Sequence, residues 1–400
     1  MKVLALPAVL LAGAASAQTI SIKPLVDLRL RYENVDQGGL SKHADALTFR
    51  MRPTVAATFG DWSALAEGEA TDALIGHYNS GTNGKDLYPL VVDPENFELN
   101  RAQIRYANPH GAAVTAGRQL LELADQRFVG SSNFRQNQQT YDAARVQLGE
   151  VTGPFADLTY AWSDRTVNGI HGEGPRQQAV SGNNFFALAG YGSPTATVTA
   201  FAYLVDQDEF AVQQYRLSSQ TYGVRLAGSI PLHGVGKLGF AASAARQSGY
   251  HRNPNNYVAD YWQGEANILT GHGTLGLGYE VLGADKGLAL TSVQTPLASL
   301  FKFNGWADKF TTTPPNGLRD LYASAGCGWS QVWLASKLDI LTTFHRFRSD
   351  RLDQDYGDEW DFLASAKIRR TILSLRYADY HARDFATNTR KLWLEADWTL

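Results

Sequence analysis

From about residue 20 to the last residue the chain consists of short segments in which apolar and polar residues alternate, and no helical periodicity interrupts them. Strict alternation puts successive side chains on opposite faces of a strand. Val26, Leu28, Leu30 and Tyr32 share one face while Asp27, Arg29, Arg31 and Glu33 share the other. The pattern returns with Leu47, Phe49 and Met51 against Thr48, Arg50 and Arg52, and near the end with Leu392, Leu394, Ala396, Trp398 and Leu400 against Lys391, Glu395 and Asp397. Each apolar face is about ten residues long, the length a tilted strand needs to cross a bilayer.

The connections alternate as regularly as the side chains. Tight turns fall at 60–61, 108–111, 151–154, 192–194, 231–236, 271–273, 328–336 and 369–370, most with Gly, Pro, Asn or Asp. Long polar connections lie between them at 34–45, 72–97, 121–140, 164–182, 205–218, 247–256, 284–318, 348–358 and 381–390. Short on one side and long on the other predicts an all-β fold, a transmembrane antiparallel barrel of about 18 strands with long extracellular loops and short periplasmic turns. A soluble sandwich would not alternate its connections in this way.

The first residues predict export: Lys2, an apolar run over 3–14, and Ala15-Ser16-Ala17 before Gln18 have the form of a cleaved signal peptide. We therefore read 1–17 as a signal and 18–400 as one barrel domain. No other stretch is apolar enough for a membrane helix. A composition 44% hydrophobic suits a wall with one lipid face and one wet face. The net charge of -3 shows no basic stripe for nucleic acid, and the single cysteine, Cys327, excludes an internal disulfide.

Charge decides which face looks inward. An Arg or Lys facing lipid near the midplane costs about 2–4 kcal/mol, and roughly 14 cationic side chains share the charged faces, so those faces line the lumen. Trp62, Tyr106, Trp162, Tyr191, Trp262, Tyr279 and Tyr377, near strand ends, suit the interfacial girdles. Arg50 and Arg52 are expected to face Glu67 and Glu69 across a hairpin. Asp27, Arg29, Arg31 and Glu33 are expected beside Lys391, Glu395 and Asp397 where the barrel closes, and cross-strand ion pairs would stiffen the wall there. A basic excess lies elsewhere: Arg101, Arg105, Arg118 and Arg145 on strands with Arg127 and Arg135 in the loop between them, near only Glu98, Glu122, Asp125 and Asp142. These guanidiniums suit bidentate recognition of carboxylates in a narrowed pore, or a network anchoring the loop, and the two readings are compatible.

At this loop a resemblance emerges. Gly117-Arg118-Gln119, then Asp125-Gln126-Arg127-Phe128-Val129-Gly130, then Phe134-Arg135-Gln136-Asn137-Gln138-Gln139-Thr140-Tyr141-Asp142 resemble the alginate-export family of outer-membrane porins. The stretch Phe303-Asn304-Gly305-Trp306-Ala307-Asp308-Lys309-Phe310 with Gly317-Leu318, and Tyr377-Ala378-Asp379-Tyr380 with 387–391, resemble it too. The resemblance implies a monomeric barrel and a diffusive channel, in the type member a route for an anionic uronate polysaccharide through an arginine-rich constriction. The nearly balanced charge of this lumen departs from a strongly basic pore. Expected partners are outer-membrane lipid and lipopolysaccharide, the barrel-assembly machinery, and small hydrophilic or anionic solutes. The last strand ends Trp398-Thr399-Leu400 without a terminal aromatic, yet its alternation is intact and assembly is expected.

Other signals carry less. No cofactor or metal motif is found: the histidines are scattered, with His110, His233 and His272 in turns, and Gly273, Gly276 and Gly278 are small wall residues with no helix after them. The acidic run Asp350, Asp353, Asp355, Asp358, Glu359 and Asp361 does not match a calcium loop and reads as a solvated loop. The loop at 284–318 is long enough to cover the mouth as a lid. A structural or adhesin barrel closed by ion pairs is one competing expectation. A lipid-modifying enzyme is another, although no Ser and His pair for it is visible.

Overall fold

The computed structural model describes residues 20–150, 152–271 and 273–400; the expected signal at 1–17 and the turn residue His272 lie outside these. Eighteen strands follow in order: β1 (Ser21–Gln37), β2 (Ala44–Phe59), β3 (Trp62–His77), β4 (Asn96–Ala107), β5 (Ala113–Gln119), β6 (Thr140–Gly149), β7 (Gly153–Arg165), β8 (Ala179–Gly192) and β9 (Ala196–Val205). The second half holds β10 (Ser219–Leu232), β11 (Gly236–Gly249), β12 (Val258–Leu269), β13 (Gly273–Leu282), β14 (Leu318–Val332), β15 (Ala335–Arg348), β16 (Asp355–Ile368), β17 (Thr371–Ala382) and β18 (Thr389–Thr399). Each pairs antiparallel with its neighbours in the chain, and β1 pairs with β18, so the sheet closes without an edge. Helical structure among the described residues is confined to three single 3₁₀ turns, including Leu300–Lys302.

The alternation predicts the faces correctly. On β2, Arg50, Arg52 and Thr54 are buried inside while Met51 and Val55 face outward. Trp62, Trp162, Tyr191, Trp262 and Tyr279 are exposed on the outer surface, as girdle residues should be. The turn expected over 328–336 is tighter: Val332 still pairs with Ala335, which leaves only Trp333 and Leu334 at the tip.

The main departure from simple alternation is a set of bulges. The β3/β4 register shifts between Glu67 and Gly68, because Asn100 is an extra residue on β4. Asn96, Glu98 and Asn100 point inward on one side of it, and Arg101, Gln103 and Arg105 on the other. A bulge lets two consecutive residues share a face. Further shifts occur at Leu47/Thr48, Asp142/Ala143, Ala161/Ser163 and Phe347/Arg348.

Candidate functional site

The lumen is occupied by two of the chain's own loops. The β5–β6 loop (120–139) and the β13–β14 loop (283–317) fold inward and pair by backbone, with Gly130 N–H donating to the Leu297 carbonyl at 2.8 Å and Ser299 N–H to Gln126 at 3.1 Å. The approach requires a glycine: a Cβ at Gly130 would lie 2.9 Å from the Ser299 backbone nitrogen and closer still to its hydroxyl. Leu121, Leu123, Val129, Val293, Leu297, Phe301 and Phe310 form an apolar core with the wall residues Tyr141, Phe186, Tyr203, Tyr261, Phe347, Tyr380 and Trp393. Burying each such side chain contributes about 1.5–3 kcal/mol. Phe128 reaches across to Phe201, Tyr203 and Tyr261, and Phe134 stacks on Phe301 with Trp393 edge-on. The long loop at 283–317 is therefore an internal partition and not a lid laid over the mouth.

Polar contacts fasten the pair to strands on both sides of the barrel. Arg29 and Arg31 donate to backbone carbonyls of the first loop. Arg52 reaches Asn133 at 3.1 Å, Thr71 donates to Asn137 at 2.7 Å, and Asp125 pairs with Arg225 at 2.8 Å. On the second loop Ala307 N–H donates to Glu359 at 2.7 Å and Trp306 N–H to Asp361 at 3.3 Å. Two members of the acidic run at 350–361 thus anchor a loop inside the barrel. Asp353, Asp355 and Asp358 stay near the rim and pair with Arg319, Arg346, Arg348 and Arg383. No group of His, Cys, Asp and Glu able to hold a metal ion occurs among the described residues.

The residues singled out in the sequence are found inside and mostly in ion pairs. At the closure Arg29 meets Asp397 at 2.6 Å and Arg31 meets Glu395 at 2.6 Å, as expected from the strand order. Arg31, fully buried, also pairs with Asp93 at 3.2 Å. Arg52 pairs with Glu69 at 2.6 Å. Arg50 turns instead to Asp27, and Glu67 binds Arg101, whose Nε lies 2.8 Å away, together with Asn100 at 2.8 Å. Of the charges expected to face one another across the β2–β3 hairpin only Arg52 and Glu69 meet: the register sets Arg50 opposite Thr71 and Glu67 opposite Thr54, and the bulge at Asn100 brings both of those β4 side chains to Glu67. Arg118 pairs with Asp142 at 2.8 Å, Arg145 with Asp157 at 2.9 Å, Arg127 with Glu280 at 2.7 Å and Arg135 with Asp308 at 2.9 Å. Arg105 has neutral partners, Thr115 at 3.2 Å and Gln147 at 2.9 Å. Five of the six arginines in the basic excess therefore already hold a carboxylate.

Sequence reasoning missed the groups that matter most around the loops. Asp308 is clamped between Arg135 and, at 2.8 Å, Lys391. Burial opposes its charge, but the two cations hold its carboxyl down at about 2. Burial and the nearby Lys391 ammonium push Lys309 down to about 8; its amine donates to Gln37 at 3.0 Å. Two cavities flank the partition. One of about 510 Å³ opens toward the long-loop end and is lined by Arg135, Arg176, Lys302, Lys309 and Lys391 with Glu122, Asp164 and Asp308. The other, about 410 Å³, lies among β10 and β12–β16, and Lys302 lines both.

Comparison with known proteins agrees with this geometry. The model of the family described as "Alginate export" matches residues 25–391. The fold is similar to the crystal structure of Pseudomonas aeruginosa OpdO, at 15% identity with a TM-score of 0.68, covering 95% of this chain and 97% of that one. Acinetobacter baumannii OccAB4 gives 12% identity and a TM-score of 0.70 over 96% and 99% of the two chains. The outer membrane protein OpdK from Pseudomonas aeruginosa gives 14% and 0.69 over 95% and 98%. At these identities the likeness is one of fold. No curated relative matches the chain.

Proposed function

Because this chain belongs to the alginate export family over nearly its whole length, and is built as an 18-stranded barrel of the outer-membrane porin type, we propose that it is a passive channel of a Gram-negative outer membrane. Its solutes are small, hydrophilic and anionic: oligosaccharides, uronates or organic acids. One observation carries this reading. In the cavity facing the long loops, Lys302, Lys309 and Arg176 have no carboxylate within ion-pair distance among the described residues, Arg135 and Lys391 share Asp308, and these five basic groups outnumber the three acidic ones, Asp308, Glu122 and Asp164. A carboxylate entering there meets uncompensated positive charge in a partly desolvated space of a size suited to a small ligand. The arginines build the constriction by holding the loops in place, and the lysines supply the free charge at its neck. The barrel acts as a monomer in contact with lipid and lipopolysaccharide, and the barrel-assembly machinery inserts it.

The test is the reversal potential of the refolded barrel in a planar bilayer under a salt gradient, for the wild type and for Lys302→Met with Lys309→Met. We expect an anion preference that falls toward zero in the double variant. A cation preference in the wild type would overturn the solute class, and absence of current would favour a barrel sealed by its own loops.

A further inference from the structure

The second cavity has the opposite character, and it is not used by the reading above. Five carboxylates line it, Asp125, Glu265, Glu280, Asp320 and Asp361, against Arg225, Lys302 and His345. Three of the five have basic partners: Asp125 holds Arg225 at 2.8 Å, Glu280 holds Arg127 at 2.7 Å, and Asp320 holds His345 at 3.0 Å. Asp361 has only the same His345 ring, at 3.7 Å, and Glu265 has no basic partner among the described residues. Among the described residues Glu265 accepts only the Tyr322 hydroxyl, at 2.8 Å. Tyr322 reaches it by lying flat across Gly278, where any Cβ would strike the ring. Asp361 is 1% exposed, and its Oδ2 accepts the Trp306 N–H and lies 3.7 Å from the His345 ring nitrogen. Its Oδ1 has no hydrogen-bond partner, and neither has Oε2 of Glu359 two residues before it.

A buried carboxylate oxygen without a donor is costly unless something charged or protic reaches it. Trp306 and Tyr322 line the same space, and aromatic faces beside carboxylates favour an organic cation over a small hydrated one. We propose that this inner cavity is a subsite for the ammonium group of a solute, a primary or quaternary organic amine, held by Glu265 and Asp361 and flanked by Trp306 and Tyr322. Resting on the channel reading, this extends the solute class: a molecule bearing both a carboxylate and an ammonium finds a partner for each on the two sides of the loop partition.

The experiment uses the refolded full-length barrel and choline as the probe, with the carbon isostere of choline as the uncharged control. Block of the current is measured with each added to the short-turn side, and choline binding is measured separately by equilibrium dialysis of the protein in detergent. We expect choline, and not its isostere, to block and bind, with the half-saturating concentration raised about tenfold in Glu265→Gln and in Asp361→Asn, the loss of one charge-assisted contact. Glu265→Gln keeps an acceptor for Tyr322 and touches neither loop, so it decides the matter if Asp361→Asn disturbs the Trp306 segment. Equal effects of choline and isostere, or unchanged choline affinity in Glu265→Gln, would overturn the proposal. Unchanged affinity in Asp361→Asn alone would remove Asp361 and assign its free oxygen to a proton shared with Glu359. Failure of the channel reading is distinct: current would be absent while dialysis still reported choline binding.

Discussion

At the scale of single residues, the loops are held by a few charged contacts that leave little slack. Asp308 sits between Arg135 and Lys391, with its carboxyl at about 2 against an ordinary 3.8. A depressed carboxyl contributes stability above its unfolded value and loses it as pH falls through the folded one, so this contribution is complete above pH 3.8 and gone below about 2. It amounts to about 2 kcal/mol. Asp308→Ala should lower stability to denaturant at pH 7, should add noise to the open-channel current, and should differ less from the wild type as the pH drops from 4 to 2. A constant gap would refute the assignment. Lys309 behaves in the opposite sense. Held at about 8 against an ordinary 10.5, it is charged in the folded protein only below about pH 8. Folding is therefore penalised below 8, and the penalty fades between 8 and 10.5. Anion preference should fall as the bath is taken from pH 7 to 9, and a Lys309→Met channel should show no such pH dependence in its reversal potential.

At the scale of elements, the β5–β6 and β13–β14 loops behave as one packed body. Their contact runs through Gly130, whose missing side chain lets the Leu297–Ser299 backbone approach. Gly130→Ala should force the loops apart at a cost of about 1–3 kcal/mol, seen as a higher and noisier conductance with the barrel's heat-resistant migration in detergent gels retained. Phe301→Ala removes the stack on Phe134 and Trp306, and should do the same at a cost of about 3–5 kcal/mol. A conductance equal to the wild type in both variants would mean that the loops do not set the pore.

At the scale of the whole barrel, the division between wet and lipid faces can be tested without reference to any solute. Val224 stands exposed on the outside of β10, while Thr343 of β15 lines the inner cavity. Val224→Arg should cost about 2–4 kcal/mol in unfolding measured in lipid vesicles, and Thr343→Lys under about 1 kcal/mol. Equal costs would contradict the closed register. Closure itself rests on buried pairs between the first and last strands. Removing Arg31 leaves the buried Asp93 without its cation, while Glu395 keeps Arg376 at 3.2 Å, so Arg31→Ala should destabilise by about 3–5 kcal/mol.

Alternation and loop rhythm alone determined the strand count, the closure, the lumen face and the set of charges that meet where the first and last strands join, because a period of two and a fixed strand order leave one face on which those charges avoid lipid. The partners of Arg127 and Arg135 were not legible in this way. Glu280 lies 153 residues away and Asp308 173, and the path of a loop through space has no period to read. Arg118 alone of the basic cluster found its partner among the nearby acids, Asp142, since both lie on adjoining strands. The bulge at Asn100 was equally silent, for one extra residue changes no composition yet brings both Asn100 and Arg101 to Glu67. Where the strands run is a local matter of patterning. What fills the barrel, and which charges remain free to meet a solute, was decided only when distant loops packed against each other inside it.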